Sequence, residues 1–81
     1  MEYKTSGVCA GLIRFEIGER DGKKTVESVQ FTGGCNGNLQ GISKLVEGMY
    51  VEDVISRLDG IRCGYKATSC PDQLARALKA L

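Results

Sequence analysis

Four cysteines, in a chain of 81 residues that has no histidine, are the side chains best suited to chemistry. Cysteine serves either as a small buried apolar residue or as a thiolate that binds metals, exchanges disulfides or attacks an electrophile. The sequence around them reads VCAG, GGCNG, RCGY and SCPD, which is typical of bends and helix starts, where functional residues are common. The candidate site residues are therefore Cys9, Cys35, Cys63 and Cys70.

Two of these cysteines are predicted to lie at helix starts. Cys35 follows a glycine pair and precedes a helical pattern, and Cys70 precedes Pro71, which favours the first helical position and would place Cys70 at the cap. Unpaired backbone N–H groups at a helix N-terminus favour an anion, and a thiolate is one. The sequence thus favours the form of sulfur that metal binding or disulfide attack requires.

The spacing of the cysteines fits no familiar zinc motif. They are too far apart for the short knuckles of zinc fingers, and the chain has no C-x-x-C. Spacing alone leaves three alternatives: a shared metal site, buried thiols without a ligand, and disulfides.

Length and composition limit the function classes. A chain of 81 residues predicts one domain over residues 1–81, with little stability to spare unless disulfides or a metal add to it. The N-terminus lacks the pattern of a secretory signal, which predicts a cytoplasmic protein and disfavours disulfides. The balance of 11 basic and 10 acidic residues predicts no autonomous nucleic-acid binding, and no apolar run is long enough to cross a membrane.

The first half of the chain predicts a β-hairpin. Apolar residues alternate from Leu12 to Ile17, and Asp21-Gly22 suits the positive φ angles of a tight turn. Val26 is out of phase with the alternation that resumes afterwards, so we expect a bulge near Glu27 or Ser28. A short first strand is expected around Tyr3.

The second half predicts three helices. Apolar residues recur at helical spacing over Leu39–Met49, Val51–Leu58 and Leu74–Leu81, and we expect these stripes to be core. Gly48 is expected to end the first helix, and Gln73 is expected to be an exposed first-turn residue. The order predicts an α+β fold, a small antiparallel sheet followed by three helices packed on one face.

Two stretches, FTGGCNGNLQGISKLVEGM and GIRCGYKATSCPDQLARAL, resemble the TSCPD domain family, whose motif lies at Thr68–Asp72. The resemblance covers nearly the whole chain. Such domains are small four-cysteine proteins or the C-terminal part of class II ribonucleotide reductases, which use adenosylcobalamin. The resemblance therefore implies a link to deoxyribonucleotide synthesis, with ribonucleotide reductase or another protein as the partner and zinc or an iron-sulfur cluster as the cofactor.

The chain is more distantly similar to iron-sulfur scaffold proteins of the NifU/IscU type, which implies a SufE/NifU-like fold. By position, Cys9, Cys35 and Cys70 look like the three scaffold cysteines. The scaffold aspartate has no counterpart after Cys9, and Ser69 stands where the scaffolds have histidine. Cys63 would supply the fourth ligand, and an all-cysteine set suits a retained cluster or structural zinc better than cluster delivery.

The predicted function is a four-cysteine metal-binding accessory module. One alternative is a thiol-redox partner, with Cys70 reactive and Cys63 resolving. Another is a nucleotide-binding regulator that uses the Gly33–Gly37 turn, which lacks the lysine and hydroxyl residue of a P-loop. The chain is too small to carry out radical ribonucleotide reduction alone, because that chemistry needs a barrel of several hundred residues.

Overall fold

A three-stranded antiparallel sheet followed by three helices makes up the fold. The computed structural model describes residues 1–5, 10–33, 36–62, 64 and 68–81. The sheet has the order β1-β2-β3, and both pairs of neighbouring strands are antiparallel. The elements are β1 (Glu2–Lys4), β2 (Ala10–Arg20), β3 (Lys23–Gly33), α1 (Asn36–Val46), α2 (Val51–Leu58) and α3 (Cys70–Lys79). The α+β prediction, including the short first strand, is confirmed.

The hairpin of β2 and β3 turns where the sequence predicted. Asp21 and Gly22 have φ angles of 57° and 78°, the left-handed pair that matches the twist of a two-residue hairpin. Along β2, Ile13 and Phe15 are buried while Arg14 and Glu16 are exposed. One face of this strand therefore joins the core and the other meets solvent.

The predicted bulge is present in β3. Ser28 pairs with Glu16 and Val26 pairs with Ile17, so Glu27 is an extra residue without a partner in β2. The added residue shifts the alternation by one, which lets both Val26 and Val29 lie in the core.

Helix α1 ends slightly earlier than its apolar stripe. Gly48 has a φ angle of 81°, and its N–H donates to the carbonyl of Val26 at 2.7 Å. The N–H of Val26 in turn donates to the carbonyl of Met49 at 2.9 Å. This exchange ties the connection between α1 and α2 to the bulged part of β3, and it breaks the helix before Met49.

The core lies between one face of the sheet and the three helices. Most of the predicted apolar stripes contribute to it, as expected. Leu45 and Leu81 are exceptions, and the prediction that they are core is wrong: Leu45 is 77% exposed on the outer side of α1, and Leu81, which follows the end of α3, is 38% exposed. The buried cluster is Ile13, Phe15, Val26, Val29, Val46, Val51, Val54, Leu74, Ala77 and Leu78.

Candidate functional site

One of the four predicted ligands, Cys70, lies among the described residues, whereas Cys9, Cys35 and Cys63 lie outside them. Cys70 is the first residue of α3, its side chain is partly exposed, and its thiol is not in a disulfide. Within the described part of the chain, no three Cys, Asp or Glu side chains form a group that could hold a metal ion. The four-thiolate site stays a prediction.

The described residues next to Cys9 and Cys35 in the sequence are paired in the sheet. Ala10, which follows Cys9, is the partner of Gly33, which precedes Cys35 by two residues. Helix α1 begins at Asn36, the residue after Cys35. The register of the hairpin therefore places Ala10 and Gly33 together at one end of the sheet.

The start of α3 is fixed by Ser69, which is the N-cap residue. Its hydroxyl accepts a hydrogen bond from the N–H of Asp72 at 3.1 Å and donates one to the carbonyl of Ile61 at 2.7 Å. Cys70 is thus the first helical residue rather than the cap, and Pro71 is the second. The prediction that Cys70 is the cap is wrong, because a serine hydroxyl accepts a backbone N–H far better than a thiol does.

Asp72 is 2% exposed, and its carboxylate has three partners. Its Oδ1 accepts from the N–H of Gly60 at 2.7 Å, and its Oδ2 accepts from the hydroxyl of Thr68. Arg76 adds an ion pair, with its Nε 3.1 Å from Oδ2. Asp72 therefore fastens α3 to the residues that follow α2.

Gln73 completes this arrangement from inside the protein. The residue is 2% exposed, and its Nε2 donates to the Thr68 hydroxyl at 2.9 Å. The prediction that Gln73 is exposed is wrong, because Thr68 gives its amide a buried partner. We call these four buried polar residues the cap cluster: Thr68, Ser69, Asp72 and Gln73.

Electrostatics in the cap cluster favour a charged carboxylate. The hydroxyl of Thr68 is the largest influence that holds the pKa of Asp72 below its ordinary value. The N–H of Gly60 and the guanidinium of Arg76 act in the same direction, and together they outweigh the opposing effect of burial. Among the described residues, no buried side-chain polar atom lacks a partner.

These contacts determine which side chain of the Thr68–Asp72 motif is available for chemistry. In Thr68–Asp72, the side chains of Thr68, Ser69 and Asp72 are engaged in holding the helix start. The thiol of Cys70 is the reactive group that they leave available, at a helix N-terminus that suits an anionic ligand. The arrangement can present one thiol in a fixed position.

Sequence reasoning missed the cap cluster, although one signal was present. Ser69 and Asp72 form the S-x-x-D spacing of a capping box, in which the first residue caps the N–H of the third helical residue. Here the acidic residue departs from that motif, since its carboxylate bonds to Gly60 and Thr68. The cap by Ser69 could be predicted from this spacing, but the hydrogen bond from the N–H of Gly60 to Asp72 depends on tertiary structure.

Fold and helix start together define a small α+β domain that presents a cysteine at the first residue of its last helix. A model of the TSCPD domain matches residues 1–81, and the chain belongs to this family. No curated protein and no solved structure matches the chain. In the described residues, no helix has the length and apolar character to span a membrane.

Proposed function

We propose that this TSCPD-domain protein is a metal-binding accessory module. The thiolates of Cys9, Cys35, Cys63 and Cys70 hold one zinc ion or one iron-sulfur cluster. The observation that carries the proposal is the cap cluster, in which three polar side chains of the motif fix the helix start that bears Cys70. A metal ligand needs this kind of support, because the groups around it set its orientation.

The register of the hairpin also supports the proposal. Ala10 and Gly33 are paired, and they lie one residue from Cys9 and two residues from Cys35 in the sequence. Four thiolates and no histidine are a donor set that suits tetrahedral zinc or a cluster, both of which take thiolate ligands readily. When bound, the metal would crosslink the chain segments that carry the cysteines.

Metal analysis tests this function. The protein is purified without oxygen, and its zinc, iron and sulfide contents and absorption spectrum are measured. We expect about one equivalent of zinc, or iron and sulfide in cluster proportion. Cys70→Ser should lower the content, and Ser56→Ala, an exposed serine on α2, should leave it unchanged. Less than about a tenth of an equivalent after reconstitution would contradict metal binding.

The role of the module is to serve ribonucleotide reductase in deoxyribonucleotide synthesis, which rests on family membership. A sedimentation or calorimetric titration of the metal-loaded protein with a purified class II ribonucleotide reductase tests it. Saturable binding that Cys70→Ser weakens would support the role. Metal binding without any association would restrict the proposal to a metal module.

A thiol-redox role is the second candidate, and the partly exposed Cys70 thiol at a helix start favours it. In this role the Cys70 thiolate attacks a disulfide of the reductase, releases one reductase thiol and forms a mixed disulfide. Cys63 then attacks the Cys70 sulfur and releases the second reductase thiol, so that the reductase disulfide is reduced and a Cys63–Cys70 disulfide forms. Alkylation at pH 7 is the test, and Cys70 should react faster than free cysteine. An equal or slower rate in the metal-free protein would contradict it. A nucleotide-binding role rests on the Gly33–Gly37 sequence alone and stays a prediction.

A further inference from the structure

An apolar groove between α1 and α2 remains open on the surface. Its volume is about 600 Å³, and its apolar walls are formed by α1, α2 and the connection between them. Three of its apolar residues are only partly buried, and Leu45 on the same surface is 77% exposed. The apolar lining consists of Ile42, Leu45, Val46, Met49, Val54 and Leu58. Single exposed leucines are common, but a leucine beside a continuous apolar groove indicates a binding surface.

The charges on this groove are of both signs. Its charged residues are Arg20, Asp53 and Arg57, and Arg20 is engaged within the same copy, where its guanidinium donates to the carbonyl of Gly48 at 2.9 Å and lies over the Tyr50 ring. Asp53 and Arg57 lie four residues apart on α2. Both side chains are exposed, and within the described residues neither forms an ion pair. A partner whose surface carries charge of only one sign would therefore be repelled by either Asp53 or Arg57.

A surface with one acid and one base on the same helix face is complementary to itself. When two copies of α2 pack antiparallel about a two-fold axis, Asp53 of each copy lies opposite Arg57 of the other, and two ion pairs form. The net charge of the chain is +1, so long-range repulsion between copies is small.

We infer that the α1–α2 groove is the interface of a symmetric homodimer, in which Leu45 of each copy covers the groove of the other. The interface has an apolar centre formed by both grooves and a charged rim formed by Asp53 and Arg57, as stable interfaces do. This inference does not depend on metal binding.

Sedimentation velocity over low to high micromolar concentrations, in reductant so that thiols cannot crosslink, tests the dimer. We expect a concentration-dependent dimer whose dissociation constant rises at least about tenfold in Leu45→Glu. Gln40→Glu is the matched control, because it places the same charge on an exposed position of α1 outside this groove, and it should leave the dimer unchanged. Circular dichroism verifies that each variant is folded.

Charge reversal tests the two-fold arrangement itself. Asp53→Arg and Arg57→Asp should each raise the dissociation constant about fivefold, because each sets like charges opposite one another. The double variant Asp53→Arg/Arg57→Asp restores both pairs with reversed polarity, and its constant should return to within about twofold of the wild type. A protein that is monomeric at every concentration would overturn the inference. So would a dimer that neither Leu45→Glu nor the charge reversals weaken.

Discussion

Two regions of the molecule are built from similar polar contacts but differ in burial. The cap cluster lies at the start of α3, and its four residues are at most 8% exposed. At the hairpin end, the cationic groups of Arg20 and Lys23 lie 4.9 Å and 5.4 Å from the centre of the Tyr50 ring, and Lys23 pairs with exposed Glu52 at 3.2 Å. The second region is accessible to water.

Burial decides what each region contributes. In water, a lost ion pair or hydrogen bond is replaced by solvent, so exposed pairs add little to stability. In the cap cluster, removal of one partner leaves a buried donor or acceptor unpaired, which is far more costly. The cap cluster should therefore govern folding stability, and the hairpin end should tolerate substitution.

Asp72→Ala should give the largest effect and tests this comparison most directly. It leaves the N–H of Gly60 and the hydroxyl of Thr68 without their acceptor, and we expect a loss of about 3 kcal/mol in the free energy of unfolding. Urea denaturation measures it. The control is Asp59→Ala, which removes an exposed aspartate paired with Lys79 at 2.8 Å and should cost less than about 1 kcal/mol. Equal losses would contradict the role of burial.

Acid should destabilise the protein through the same carboxylate. The folded protein lowers the pKa of Asp72, so its stabilising contribution is complete above the unfolded pKa of about 3.9. That contribution is lost as the pH falls through the lower, folded pKa, at no more than about 1.4 kcal/mol per pH unit. Urea denaturation between neutral and strongly acidic pH measures the slope, and Asp72→Asn should flatten it below about pH 4. An identical acid slope in the variant would show that other carboxylates are responsible.

Ser69→Ala is expected to have an intermediate effect. The substitution removes the cap on the N–H of Asp72 and the donor to the carbonyl of Ile61, and it should cost about 1 to 2 kcal/mol. Thermal and urea unfolding measure it. Ser56→Ala is the matched control, because Ser56 donates to the carbonyl of Asp53 on an exposed helix face and its loss should be within about 0.5 kcal/mol. A cost no larger than that of the control would contradict capping by Ser69.

Tyr50→Phe should give the smallest effect. It removes the exposed hydrogen bond from the Tyr50 hydroxyl to Asp21 at 3.3 Å but keeps the ring near both cations, and we expect a change within about 0.5 kcal/mol. Urea unfolding of the two proteins side by side measures it. A loss as large as that of Ser69→Ala would show that the hairpin end is as important as the cap cluster.

The fold was predictable where the signal is local. The turn at Asp21-Gly22 needs only two residues that accept positive φ, and the bulge at Glu27 follows from a break in a two-residue period. Leu45 was assigned to the core wrongly. Helical spacing shows which residues lie on the same face of a helix, but it does not show how much of that face the neighbouring elements bury. The missing information is the position of the neighbouring elements.

The candidate site was predictable to a smaller extent. The cysteines stand out by residue type alone, and Cys70 does lie at a helix start. The cap cluster was not predicted, because the partners of Asp72 include Gly60, which is distant in sequence, and because the burial of Gln73 depends on Thr68. The first contact joins residues that are 12 apart, and the second joins residues that are five apart across the helix start, which matches no standard capping pattern.

The contacts of the cap cluster with the residues after α2 also join two points of the chain that lie eight residues apart in sequence. The hydrogen bonds from Ser69 to Ile61 and from Gly60 to Asp72 bring together the two ends of the segment over residues 62–67, which contains Cys63. Joining two separated points of a chain requires a loss of chain entropy, and that loss is already incurred when the cap cluster folds. If Cys63 and Cys70 both bind the metal as proposed, the hydrogen bonds of Ser69 and Asp72 would lower the entropy cost of bringing the two thiolates to it, although neither residue is a ligand.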